Sequence, residues 1–502
     1  MSEEHVYSLE SWCSWCGEFS RHTLFQENNI GRSTFKCSAC EFLTVKCRHC
    51  ENMARAALGE SRKVEGDDEG QGNSLFGDSI KRVSQLFTEN WHNELCAEHD
   101  GTMPDFTKAK ATILELGEFK HLMRPRKANL YGLTKQVGVV AGGIVAVGTG
   151  AYLAAPGIAA ALGSTGALGA ASTGTAIGTL KGATLASASL AKVGSGGLAI
   201  IAATGAGLGG KTGYGLANAY FKDIPDYHFT LKRATSSDCG HRVVVVNGFL
   251  SEEDMEAHDW CDGLADHYQD APLWYLNWEA KTLRKLGGML SGTSRSMFSS
   301  SILSSGVGLA SKALAKGVSH GGMAMTAVGL ASNPWHSAML NAEKAGLLLA
   351  EAISRTEGKT FTLMGHSLGA RVVFFALLAL ASKGGEKYVR NAVLMGGAVG
   401  NESEVDWTTA ASATSGGVYN CYSERDGVLK WLYRMANAGL STPAGLVPVS
   451  HGVEGVVNSD FSNLIGGHNE WKANLGAVLD RLELGRDTLR EASNTSPVVE
   501  AE

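Results

Sequence analysis

A chain of 502 residues, 44% hydrophobic and 19% charged, has room for two or three domains, one of them an α/β enzyme core of roughly 200 residues or more. That composition excludes a wholly disordered protein. A formal charge of -6 provides no global attraction to nucleic acid or anionic lipid, so binding to either requires a local patch.

The stretch Met1 to Glu10 is polar and acidic and lacks the charged-then-apolar layout of a cleavable secretory signal. The expected location is cytoplasmic or membrane-associated. Of the ten cysteines, seven fall in the first hundred residues, while Cys239, Cys261 and Cys421 stand alone. The seven form Cys13-x-x-Cys16, Cys37-x-x-Cys40, Cys47-x-x-Cys50 and, with a histidine, Cys96-x-x-His99. Ligands two residues apart let a tight turn aim both side chains at one tetrahedral ion, and two such pairs close a structural site. Eight ligands predict two structural zinc ions. The simplest pairing joins Cys13, Cys16, Cys37 and Cys40 on one ion, and Cys47, Cys50, Cys96 and His99 on the other. An interleaved pairing also satisfies the spacing, and His49 or His92 are alternatives to His99. Charges balance over Met1 to Cys50, so no phosphate-binding footprint appears and no nucleic-acid partner is expected. A structural role or a protein contact is expected for this Cys-rich module, placed at residues 1–127. Trp12, Trp15, Phe19, Phe25, Phe35 and Phe42 are expected to pack around the ions. Glu60 to Gly77 reads as a solvated acidic loop.

Past Arg124-Pro125-Arg126-Lys127 the composition shifts, and Gln136 to Leu180 contains no charged residue. Residues 128–225 form a Gly/Ala-rich apolar helical segment. Val137 to Ala155, Gly157 to Leu180 and Val193 to Gly210 approach the roughly 20 apolar residues that a bilayer core requires. Small residues four apart (Gly138, Gly142, Ala146, Gly150) permit close helix packing. The two readings, membrane contact through 137–210 and helices packed on protein in water, both remain open.

Strand and helix patterns alternate from about Tyr227, which predicts a mostly parallel sheet. Arg242 to Val246 is a continuous apolar run suited to a central strand. A loop, Asn247 to Leu250, follows, and Ser251 to Asp254 resembles a helix start. Leu273 to Leu276 is a second strand, followed by a helix over Glu279 to Leu286. An insertion at 289–338 interrupts the rhythm, as a lid, a lipid-contacting flap or a plain surface loop. A helix over Ala342 to Arg355 leads to the strand Phe361 to Met364, and then to Gly365-His366-Ser367-Leu368-Gly369 before the apolar helix Ala370 to Ala381. Strand, sharp turn and buried helix are the context in which G-x-S-x-G presents a nucleophile, with glycines allowing the turn and the serine oxygen exposed.

A serine hydroxyl needs a base and a group that orients the base. After the strand Gly417 to Tyr422, Ser423-Glu424-Arg425-Asp426-Gly427 offers the acid: Asp426 first, Glu424 in reserve. Asp426 is also a candidate N-cap for a helix over Val428 to Arg434. Gly466-Gly467-His468 offers the base, with His451 as competitor. The oxyanion donors are the Leu368 N–H, at a helix start, and that of Phe249 or Leu250.

Val243 to Glu253, Trp278-Glu279-Ala280-Lys281, Gly365 to Gly369, Asp426 to Arg434 and Gly467-His468 together resemble the transmembrane and coiled-coil domain protein 4 family, also called the domain-of-unknown-function 726 family. The resemblance runs from about Gly132 to Leu484, with Gly205 to Tyr214 similar to the end of that family's apolar segment. It implies an α/β-hydrolase domain, here 226–486, and the same three residues, Ser367, Asp426 and His468. The Cys-rich module lies outside it, and residues 487–502 form a tail. The fold expected is therefore an α/β-hydrolase, a mostly parallel sheet with helices on both faces, with the N-terminal zinc module and the Gly/Ala-rich segment attached. The expected activity is cleavage of a carboxylic ester, lipid before soluble ester, without a catalytic cofactor. The alternatives are a membrane-inserting protein or delivered toxin that uses the fold as scaffold, and an adaptor built on the zinc module.

Overall fold

The computed structural model describes residues 7–27, 32–57, 91–92, 94–126, 226–235, 240–248, 257–278, 334–383, 385–430, 442–449 and 452–486, with Tyr214, Ala217, Asn218, Phe221 and Ile224. Several expectations fall outside these residues: nearly all of the Gly/Ala-rich segment, the acidic loop, Phe249, Leu250, the helices at 251–254 and 279–286, most of the insertion, His451 and the tail.

The described residues divide into two compact units. The first holds those up to Ala111, with 123–126, Tyr214, Ala217 and Asn218. Six short strands follow one another: β1 (Ser8–Trp12), β2 (Phe19–Gln26), β3 (Thr34–Cys37), β4 (Leu43–Lys46), β5 (Met53–Ala57) and β6 (Trp91–His92). They pair antiparallel in sequence order. One small apolar cluster has Val45, Ala54 and Ala56 buried together and Leu43 packed on them, and Met53, Met103 and Phe106 are buried in the same unit. Trp12 stacks on Phe106 at 5.8 Å. Phe35 is buried, but Phe19, Phe25 and Phe42 are each more than half exposed and are not part of a core. In β2 the period of two explains this, because Phe19 and Phe25 share the outer face with Arg21 while His22 points inward.

The second unit begins earlier than the sequence suggests. Residues 112–122, expected in the Cys-rich module, belong to it. Ile113 bridges to Thr356, Glu115 accepts hydrogen bonds from the Arg242 guanidinium, and Phe119 meets Tyr227 and Phe229 edge-on. A short helix, α1 (Phe119–Leu122), closes this stretch.

The sheet of this unit contains β7 (His228–Arg233), β8 (His241–Val246), β9 (Leu273–Asn277), β10 (Thr360–His366), β11 (Val389–Met395), β12 (Thr414–Tyr422) and β13 (Val456–Asp460). Their spatial order is β13-β12-β11-β10-β8-β9-β7. All neighbours are parallel except β7 and β9 at one edge. Helices among the described residues include α2 (His258–Gly263), α3 (Pro334–Arg355), α4 (Leu368–Lys383), α5 (Glu404–Ser412), α6 (Glu470–Ala473) and α7 (Leu475–Arg481).

Both faces of the sheet are covered, which is why β8 is apolar from Val243 to Val246. Val243, Val245, Met364, Val393 and Met395 share one core with Trp260 of α2, Trp471 of α6 and Leu475, Val478 and Leu479 of α7. Alternation turns Val244 and Val246 to the other face, where α4 packs on β8, β10 and β11 and against α3. The helix expected from Ala342 begins at Pro334, so residues 334–338, assigned to the insertion, form its first turn. Proline is suited to a helix's first position, since its missing N–H would lack a helical partner there anyway.

Candidate active site

Every element of the site ends at the carboxyl edge of the parallel strands, where open α/β sheets commonly place their ligands. Strand β10 runs into Ser367, and α4 starts one residue later. Ser367 has φ of 60°, a left-handed conformation that costs a non-glycine residue on the order of 1–3 kcal/mol and persists where the surroundings enforce it. Here the Ser367 N–H donates to the Met395 carbonyl at 3.0 Å, and the Ser367 carbonyl accepts from the Ala398 N–H at 3.1 Å.

The serine thus makes the turn, and the two flanking glycines serve another purpose. Neither has positive φ. A Cβ on Gly365 would lie 2.5 Å from the Gly369 carbonyl oxygen, and one on Gly369 would lie 2.0 Å from the Val246 carbonyl oxygen. They let helix α4 start against two strands at backbone contact distance.

The hydrogen bonds run in a line. His468 and Ser367 are joined Nε2 to Oγ at 2.9 Å, and the His468 Nδ1–H donates to Asp426 Oδ2 at 2.6 Å. The second Asp426 oxygen accepts from the Leu429 N–H at 2.9 Å, so the aspartate both caps a helical turn and faces the imidazole. Glu424 is exposed and is not part of the line. The loops carrying acid and base are tied together, because the Ser423 hydroxyl donates to the Ile465 carbonyl at 2.7 Å. Ser367 and Asp426 are fully buried and His468 nearly so. The serine, expected to present an exposed oxygen, is buried, with that oxygen hydrogen-bonded to the histidine ring.

Leu368 is the first residue of α4, so its N–H lies at the positive end of the helix dipole. Gly248, after β8, backs directly onto it: a Cβ there would fall 2.6 Å from the Leu368 nitrogen and 2.7 Å from Ser367 Cβ. Phe249 and Leu250, the expected second donors, lie beyond the described residues.

Two residues near the line were not singled out from the sequence. Asn247 fixes the β8 loop: its side chain donates to the Tyr275 hydroxyl at 3.1 Å and accepts from Trp260 Nε1, and its carbonyl accepts from Trp278 Nε1 at 3.0 Å. The aromatic residues were visible in sequence, but their convergence was not. His366 packs its ring 4.7 Å from that of His468, is 2% exposed, and neither ring nitrogen makes a hydrogen bond of ordinary geometry. Burial first, then the His468 imidazole and the Lys472 ammonium, hold its pKa well below the ordinary value. Its position inside the motif carried no signal of this role.

The eight Cys and His positions of the first unit also come together, as Cys13, Cys16, Cys37 and Cys40 in one group and Cys47, Cys50, Cys96 and His99 in another.

These features define an α/β protein whose mainly parallel sheet carries a serine, a histidine and an aspartate in hydrogen-bonded line at its strand ends. A family model described as "Protein of unknown function (DUF726)" matches residues 132–485, and the chain belongs to that family. It is 35% identical over 172 residues to the "Uncharacterized membrane protein C6F6.13c" of Schizosaccharomyces pombe, covering 34% of this chain and 29% of that one. It is 30% identical over 216 residues to the "Probable lipase MIL1" of Saccharomyces cerevisiae, covering 42% of this chain and 20% of that one. The matches therefore span less than a third of either relative. A solved lipase-esterase related protein from Clostridium acetobutylicum overlays on 51% of this chain and 98% of its own at 11% identity and a TM-score of 0.26. That overlay is too loose to bear on the fold. Among the described residues, no helix is long and apolar enough to cross a membrane.

Proposed function

We propose that this chain is a serine ester hydrolase that acts on carboxylic esters of lipid. The observation that supports the chemistry most is the buried line from Asp426 through His468 to Ser367, with the serine on a strained turn between a parallel strand and a helix. That arrangement has the geometry required to activate a hydroxyl.

His468 Nε2 takes the Ser367 proton as Oγ attacks the ester carbonyl carbon. The Leu368 N–H, together with one from Phe249 or Leu250, stabilises the negative oxygen of the tetrahedral intermediate. As this intermediate collapses, the ester C–O bond breaks and the imidazolium returns its proton to the departing alcohol. Water then enters, gives a proton to His468 and attacks the acyl carbon; the bond from Ser367 Oγ to that carbon breaks, His468 returns the proton to Oγ, and the acid leaves. Asp426 stays ionised throughout, orienting the ring and stabilising the imidazolium.

Lipid is the preferred substrate class for two reasons: a curated relative is named a probable lipase, and residues 136–180 are apolar without a charge. The names of other relatives as membrane proteins agree with a site that works at a lipid surface.

The test is active-site labelling. The wild-type chain should react with a fluorophosphonate probe, and Ser367→Ala should abolish labelling. His468→Ala and Asp426→Ala should reduce it by about 10³-fold or more, with folding checked by circular dichroism. Labelling that persists in Ser367→Ala would refute the reading. Release of fatty acid from phospholipid vesicles, compared with a short soluble ester, checks the substrate class.

A further inference from the structure

We propose that the two Cys/His groups of the first unit are closed tetrahedral zinc sites that hold its short strands and turns together. In the first group, Cys13 and Cys40 Sγ lie 3.9 Å apart and Cys16 and Cys37 Sγ 3.6 Å apart. In the second, the Cys50 and Cys96 sulfurs are 3.5 Å apart, and His99 Nδ1 lies 3.7 Å from Cys47, 3.4 Å from Cys50 and 3.2 Å from Cys96. A tetrahedron built on Zn–S bonds of about 2.3 Å has S–S edges of about 3.8 Å, and with a Zn–N bond of about 2.0–2.1 Å its S–N edges are about 3.6 Å. The observed edges fall around these values. They are far from the bond length of a disulfide, and all of these cysteines are free thiols.

The backbone supports the same assignment. N–H groups point at the sulfurs of the second group: His49 N–H to Cys47 Sγ at 3.5 Å, Asn52 N–H to Cys50 Sγ at 3.4 Å and Cys96 N–H to Cys47 Sγ at 3.3 Å. Such donors offset the negative charge that three or four thiolates leave around a divalent ion. Every ligand sits at a turn or strand end. The first site joins the turn after β1 to the turn after β3. The second joins the turn after β4 to the segment following β6.

The packing of the sheet leaves a role for such sites, because Val45, Ala54 and Ala56 with Leu43 form only a small apolar cluster and short strands bury little surface for the entropy of ordering them. Four protein ligands at each ion leave no open position, so these sites hold structure and perform no chemistry on a substrate. Thiolate-rich ligation selects zinc or iron over hard cations, and metal analysis separates the two.

The full-length protein, purified under reducing conditions, is analysed for metal. The expected content is about two zinc ions per chain, both released as a mercurial reagent consumes the seven site thiols. Cys37→Ser and Cys96→Ser should each fall to about one ion, while Cys261→Ser, on α2 in the other unit, should keep two. His99→Cys should retain two, and its cobalt-substituted form should gain sulfur-to-metal charge-transfer absorption. If a serine variant does not fold, mercurial release from the wild-type chain carries the test. A wild-type chain that holds no zinc after reconstitution overturns the proposal. Iron in the first group, or equal loss from Cys261→Ser and Cys96→Ser, also overturns it.

Discussion

His366 is the residue beside Ser367 whose chemistry burial governs most completely. With its pKa held well below the ordinary value, the ring stays neutral in the folded chain, whereas the unfolded chain binds a proton as pH falls through about 6.5. The unfolded state therefore holds more protons below that pH, and stability drops with acidity by at most about 1.4 kcal/mol per pH unit from this group. His366→Phe should lose less stability than wild type between pH 7 and pH 5, measured by urea denaturation; equal losses would mean the ring is not kept neutral. The motif around it was legible because strand, turn and helix have distinct patterns, and because serine, acid and base occur in a fixed order along the chain. Which neighbour His366 faces was not legible, since a histidine between Gly365 and Ser367 reveals nothing of a partner about a hundred residues away, His468.

At the scale of elements, α4 depends on a polar contact within an apolar surround. Arg371 of α4 donates to Glu343 of α3 and, at 3.0 Å, to the Ala398 carbonyl. Both side chains are almost fully buried. Removing one partner leaves a buried charge unpaired, which typically costs about 3–5 kcal/mol. Glu343→Leu should show a loss of that size in chemical denaturation, and the double variant Glu343→Leu/Arg371→Met should recover much of it. A double variant no better than the single would contradict the pairing. The position of α4 was readable from the apolar run Val372 to Ala381. The antiparallel sheet of the first unit was not, because strands as short as Thr34–Cys37 and Leu43–Lys46 show too little alternation to stand out, and only the cysteine spacing emerges from that region.

For the whole molecule, the boundary between the units determines where the chain can be cut. Ile113, Leu116, Phe119 and Leu122 are at least 95% buried and belong to the second unit. Each is worth roughly 1.5–3 kcal/mol when fully buried. A fragment beginning at Thr112 should therefore melt well above one beginning at Ala128, the boundary suggested by composition. Thermal melting of the two fragments checks this, and equal melting would place the stretch outside the second unit's core. Sequence missed the boundary because 112–122 has no compositional break; its membership depends on Arg242, Tyr227 and Thr356, more than a hundred residues away.

Asp426 uses both of its oxygens as acceptors, one for the Leu429 N–H and one for His468. An asparagine at this position would have only one acceptor to share between two donors. If its oxygen kept the helix, its amide N–H would face Nδ1 and move the imidazole proton to Nε2, turning that nitrogen from acceptor into donor toward Ser367. Asp426→Asn should then fold and melt like the wild type while losing about 10⁴-fold in acylation rate. A single proton on the wrong ring nitrogen would leave the protein intact and inactive.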